Sequence, residues 1–174
     1  STDLYYQQIN KMVQMKLGKL HSAKVVLISV DFAEIEELQH KGFWDEAGLY
    51  LKDKAIQLEK GGADGIVLCT NTMHKVASYI ENSTTIPFIH IADTTATEIL
   101  SQNIKKIGLL GTAFTMEQDF YKSRLEDKGL EVITPNKANR KIVHDIIYDE
   151  LCLGVIKKES QEKYMDIVEE LISS

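Results

Sequence analysis

Residues 61–76, GGADGIVLCTNTMHKV, set one thiol, Cys69, between an apolar run (Ile66, Val67, Leu68) and a polar string (Thr70, Asn71, Thr72). Read as a buried parallel strand that enters a loop and then a helix, the stretch puts Cys69 at the carboxyl end of a strand. Open α/β sheets place their ligands there. A helix amino terminus facing the thiol would favour a thiolate, and the same N–H groups would cradle a small carboxylate. The chemistry such a pair supports is proton transfer by a thiol beside a bound small acid. Other readings stay open at these positions. Cys69 could be an inert core cysteine, and one of Thr70, Asn71 and Thr72 could be only a helix cap. His74, in the first turn of the expected helix, reads as an acid–base group or as a residue behind the site. Asp31 follows another strand; it reads as the cap of a short helix through Asp31-Phe-Ala-Glu34, with a substrate role also open.

The elements needed to hold these groups alternate along the chain. A helix over 2–18 precedes Lys24–Val30, a β-branched run that predicts a central strand. A helix over 45–60 ends at Gly61-Gly62 and leads into the Cys69 strand. The next helix runs to about Glu81, and Ile86–Ile91 predicts a short strand with Pro87 at its start or on an edge. Asp93-Thr94-Thr95 opens a further helix, with Thr95-Ala-Thr-Glu98 as its capping box. The pattern then restarts. Lys105–Thr112 is a strand running into a small-residue turn, Thr115-Met-Glu-Gln118 caps a helix over 115–128, and Leu130–Ile133 is a strand. Helices over 139–153 and from near Ser160 follow, the last from Tyr164 to Ile172 stopping at Ser173-Ser174. This order predicts an α/β protein of two similar domains, 1–101 and 102–174, with parallel sheets flanked by helices. Thr112 and Thr115 stand after their strand much as Thr70 and Thr72 do after theirs. Two such loops facing across a cleft would suit a small diacid.

Composition narrows the function. The 174 residues carry a formal net charge of −6, with Lys and Arg scattered among the acids. That balance argues against a nucleic-acid partner. No apolar run approaches the ~18 residues of a membrane span. The two cysteines are far apart and make no disulfide framework, so a reduced, cytoplasmic setting is the default. His21 and His40 do not stand at metal-binding spacing from Cys69, and no metal site is expected. His90 and His144 show no evident partner, and Cys152 reads as a buried, unreactive helix residue.

Residues 61–76, together with STDLYYQQIN (1–10), HSAKVVLISVDFAEIE (21–36), PFIHIADTTA (87–96), LLGTAFTMEQDFYKSRL (109–125) and IIYDELCLG (146–154), resemble the aspartate/glutamate racemase family, nearest its broad-specificity amino-acid racemase branch. The resemblance covers essentially the whole chain. It implies two α/β domains related by a pseudo-twofold axis, with the active site in the interdomain cleft and no pyridoxal phosphate or other cofactor. It also implies a two-base mechanism, in which one cysteine thiolate takes the α-proton and a second thiol donates from the opposite face. On that pattern Cys69 is the first acid/base, Asn71 and Thr72 beside Thr70 bind the substrate carboxylate, and Thr115 with Thr112 contacts it from the second domain. The family's second cysteine lies in a Gly-Cys-Thr-Glu segment that would follow Ser174, and its first strand would precede Ser1. Both are expected to be missing here, and Cys152 does not match. The arginine that aspartate-specific members use has no clear counterpart after Asp31. The expected substrate is aspartate, glutamate or a related amino acid, and the expected assembly is a homodimer. Other readings are a decarboxylase or cis–trans isomerase of small diacids, or a small-acid binding protein that has lost catalysis.

Overall fold

The computed structural model describes residues 1–173; the expected helix stop at Ser174 lies outside them. The chain divides into two compact units, one spanning Ser1–His90 and the other starting at Ile91. Among the described residues no helix is long and apolar enough to cross a membrane.

The first unit opens with α1 (Thr2–Leu17), followed by α2 (Phe32–Lys41) and α3 (Trp44–Lys60). The Asp31 carboxylate accepts the Ala33 N–H at 3.0 Å and starts α2, as the capping signature predicts. Acids at Asp45 and Glu46 and a base at Lys60 match the two ends of the α3 dipole. After Gly61-Gly62 the chain enters β1 (Ile66–Val67). A 3₁₀ turn (Thr72–Val76) and α4 (Ala77–Glu81) then return it to β2 (Phe88–Ile89). β1 and β2 are parallel, with Ile66 opposite Phe88 and Val67 opposite Ile89. Pro87 immediately precedes β2. Lacking an N–H, it still serves through its carbonyl, which accepts the Ile66 amide at 2.8 Å. Ile35, Leu51, Ala55, Ile66, Met73, Val76 and Ile80 form the core on one side of this pair.

Lys24–Val30 departs from the expected central strand: residues 21–31 lie outside any helix or strand. A strand exists through its ladder, and no described segment pairs with this one. Val25, Val26 and Leu27 remain partly exposed. Likewise Val67 (40%) and Ile89 (48%) stay accessible, so the β1–β2 pair is covered on one face rather than both.

The second unit begins with α5 (Ile91–Ser101). Next come β3 (Lys106–Gly108), α6 (Ala113–Glu117), α7 (Asp119–Glu126), β4 (Glu131–Ile133), α8 (Lys137–Asp149), a 3₁₀ turn (Leu151–Leu153) and α9 (Lys158–Ile172). β3 and β4 are parallel, in register from Lys106–Glu131 to Gly108–Ile133. Side-chain alternation along β3 decides which helices cover which face. Ile107 and Leu109 pack into the cluster of Ala92, Ala96, Tyr121, Leu125, Leu130 and Val132 from α5, α7 and β4. Leu110 joins the cluster of Met116, Val143 and Ile167 from α6, α8 and α9, and Leu171 of α9 lies over Gly108. This unit is a sheet between two helical layers.

Three boundaries differ from expectation. The division falls after His90, not after Ser101, because Ala92 and Ala96 of α5 are packed into the α7 core and Asp93 takes both nitrogens of the Arg124 fork at 3.0 and 2.8 Å. The expected capping box at Thr95 also dissolves. α5 already starts at Ile91, and the Thr95 hydroxyl bonds back to the Ile91 carbonyl at 2.7 Å. The single helix expected over 115–128 is two helices broken at Gln118, whose φ −101° and ψ 150° are extended.

Candidate functional site

In the first unit the site grows from the end of β1. The amide of Thr70 bonds to the Leu68 carbonyl at 2.9 Å, a tight turn that carries Cys69 at its centre. The Cys69 carbonyl accepts the Ser1 hydroxyl at 2.7 Å, so the start of α1 is laid against the thiol's own residue. Cys69 is half-buried. Burial pushes its thiol up, against the lowering effect of a hydrogen bond from the Thr2 side chain. The Tyr5 hydroxyl is also pushed up, by burial and then by the neighbouring Cys69 charge. Thr2, Tyr5 and Cys69 therefore share one polar, partly desolvated spot.

Helix-dipole activation of the thiol is not how this loop is built. After Asn71 comes a 3₁₀ turn and then a five-residue helix, too short for a developed dipole, and the thiol is raised rather than lowered. Asn71 does not cap that turn with its side chain and is exposed. Thr72 is buried next to Met73, whose sulfur accepts the Nε2–H of the buried Gln39 at 2.9 Å. The loop is thus anchored on one side by α2 and open at Asn71.

His74 supplies the second anchor. It is buried to 3% exposure, and its Nδ1–H donates to the Thr70 carbonyl at 2.6 Å. Its ring meets that of His90 edge-on, with centroids 4.3 Å apart, and lies near Phe88. His90, which showed no partner in the sequence, is equally buried and belongs to this aromatic group behind the loop. Asp31 is placed as the α2 cap.

In the second unit the turn after β3 carries Thr112 and Thr115. Thr112, rather than Thr115, caps the following helix. Its hydroxyl accepts the Thr115 N–H at 3.4 Å and lies 3.2 Å from the Thr115 hydroxyl. Thr115 is buried at 2% exposure and Thr112 is only partly so. Gly111 permits this packing, since a Cβ there would come within 3.2 Å of the Thr115 Cβ. The Ala113 amide, left over at the start of α6, donates to Nδ1 of His144 at 3.1 Å. His144 shows no evident partner in the sequence; its i, i+4 spacing from Tyr148 on α8 is the signal available there, and the two rings lie 4.8 Å apart. Cys152 is exposed rather than buried, because α8 ends at Asp149 and the 3₁₀ turn that follows projects it outward.

Among the described residues no group of three or more His, Cys, Asp or Glu side chains is arranged to hold a metal ion. Each unit therefore offers hydroxyl, amide or thiol groups at a strand end, held by a histidine bonded to the loop backbone.

The model of the Asp/Glu/Hydantoin racemase family matches residues 1–174. The chain is 37% identical over 89 residues to a protein of Bacillus subtilis (strain 168) named broad specificity amino-acid racemase RacX. That match takes in 51% of this chain and 39% of the relative, so it spans well under half of the relative's length. Among solved structures, a candidate Asp/Glu racemase from Yersinia pestis is similar at a TM-score of 0.90 and 53% identity, over 99% of this chain and 75% of that one. An aspartate racemase homologue from Pyrococcus horikoshii OT3 is similar at a TM-score of 0.73 and 32% identity, over 91% and 70% respectively.

Proposed function

Because the chain belongs to the Asp/Glu/Hydantoin racemase family, we propose that the protein is a cofactor-independent amino-acid racemase acting on aspartate, glutamate or a related amino acid. Cys69 is one of its acid/base groups. The observation that carries this reading is the setting of Cys69. It is a half-buried thiol in a tight turn at a strand end, beside the Thr2 and Tyr5 side chains, followed by an open polar loop.

An amino-acid Cα–H is a very weak acid, so the carbanion must be stabilised where it forms. Asn71 and Thr72, through side chain and backbone N–H, with the Thr70 hydroxyl beside them, are proposed to bind the substrate carboxylate and take up that charge. Thr112 and Thr115 are proposed as a substrate-binding hydroxyl pair of the second unit, with Thr112 the less buried of the two. Cys69 as thiolate removes the proton from one face and as thiol returns it, while a second acid/base group serves the other face. His74 positions this loop through the Thr70 carbonyl. The protein is proposed to work as a homodimer in a reduced cytoplasmic setting that keeps Cys69 free. Sedimentation would report the mass of the dimer.

The deciding experiment is proton exchange at Cα in D₂O with the L and D forms of aspartate and glutamate. Wash-in from both enantiomers is expected, and Cys69→Ser should slow it by about 10²–10⁴-fold, the usual contribution of one general acid–base group. Exchange that survives the substitution removes Cys69 from the chemistry. Binding of either amino acid without any exchange makes the protein a small-acid binder instead.

A further inference from the structure

We propose that His144 is a positioning residue: its neutral Nδ1 holds the Ala113 amide and so keeps the Thr112–Thr115 turn in its ligand-ready form. The inference rests on the racemase reading only for the identity of the ligand. The lock itself rests on geometry. An N–H can donate only to a lone pair, so the 3.1 Å bond from Ala113 requires an unprotonated Nδ1 and places the ring proton on Nε2. The ring is held in place by Tyr148, 4.8 Å away between centroids, and by Phe114 at 6.0 Å. Phe114 lies inside the turn itself, so His144 grips the turn by its backbone and by a side chain at once.

The amide it takes is the one at the foot of α6. Thr112 occupies the Thr115 amide, and the Ala113 carbonyl-side neighbours are fixed by the helix. With Gly111 closed against Thr115 on the other side, the turn has few remaining freedoms. Releasing the Ala113 amide lets Thr112 rotate away from Thr115 and disperses the hydroxyl pair. The first unit has a counterpart of opposite polarity: His74 donates through Nδ1 to the Thr70 carbonyl. The two rings therefore differ at Nδ1, which carries a proton in His74 and a free lone pair for the Ala113 amide in His144.

The test has a structural arm and a kinetic arm on the purified protein. Nitrogen-15 imidazole spectra are expected to show the Nε2–H tautomer for His144. In His144→Leu the Ala113 amide should exchange at least about tenfold faster. In His144→Asn, whose side-chain oxygen falls near the Nδ1 position, it should stay within about twofold of the parent. Should the leucine variant not fold, His144→Gln, with its amide one methylene further out, takes its place. For aspartate or glutamate exchange, His144→Leu should raise KM about tenfold with kcat nearly held, and His144→Asn should restore it. An unchanged Ala113 amide, or a Nδ1–H tautomer, overturns the lock. A fall in kcat at constant KM overturns the positioning role. If the parent protein shows no Cα exchange at all, the racemase reading fails, and the amide arm still decides whether His144 holds the turn.

Discussion

The chemistry of Cys69 is set by competition between desolvation and a hydrogen bond. Burial raises the thiol while the Thr2 hydroxyl lowers it, and burial is the larger. A thiol acts as a base only as thiolate, whose fraction grows as pH rises through the thiol's pKa. Alkylation of Cys69 by iodoacetamide is therefore expected to have a midpoint above that of an unstructured cysteine. Thr2→Val, which removes the lowering bond, should move the midpoint further up. A midpoint below the ordinary thiol range, or one unmoved by the Thr2 change, contradicts this balance. Substrate binding can change the sum by bringing an ammonium group to the thiol, so the same profile taken with saturating D-aspartate should shift down. His74 and His144 show how partial the view of single residues was. Both stood out as residue types, but the partner of each is a backbone group, and backbone partners leave no mark in sequence.

Among the elements, the packing of α3 on α4 has a sharp local requirement. Gly48 lies inside α3, in its second turn, where alanine would ordinarily favour the helix by about 1 kcal/mol. Here a Cβ would come within 2.5–2.7 Å of the Tyr79 ring. That ring cannot swing aside at no cost, since its hydroxyl donates to Asp45 at 2.7 Å. Overpacking of this kind costs roughly 1–3 kcal/mol, so the clash exceeds the propensity gain. Gly48→Ala should lower the urea midpoint, and Gly48→Ala with Tyr79→Leu should recover much of the loss. A stabilised single variant would mean that α4 gives way easily. The helical periodicity of residues 45–60 was plain in sequence. That its one internal glycine faces a tyrosine 31 residues later was not.

For the molecule as a whole, α5 is where the units part. Ala92 and Ala96 are fully buried against α7 and β4, and Asp93 is bound by Arg124 with Lys128 nearby. Native-state hydrogen exchange should place the α5 amides in the same cooperative group as residues 119–133. Arg124→Met should loosen α5 and α7 together. Exchange of α5 in step with β1 and β2 would return the boundary to Ser101. The salt bridge is about one-third exposed, so most of the coupling is expected from the alanine face rather than from the charges.

Local pattern alone determined much here. Alternation of β-branched runs with 3.6-residue periodicity specified an α/β chain, β1 and β2 begin directly after Gly65 and Pro87, and Asp31 capped its helix. The strand-end position of Cys69 was readable for the same reason, since it depends only on the length of the apolar run before it. Tertiary structure decided what needs a distant partner. Lys24–Val30 has the composition of a strand but no described ladder, because pairing is a property of two segments. The boundary moved to His90 because small residues on α5 found a core across 30 residues of chain. The thiol rose instead of falling because burial, which no motif encodes, outweighed the groups that would lower it.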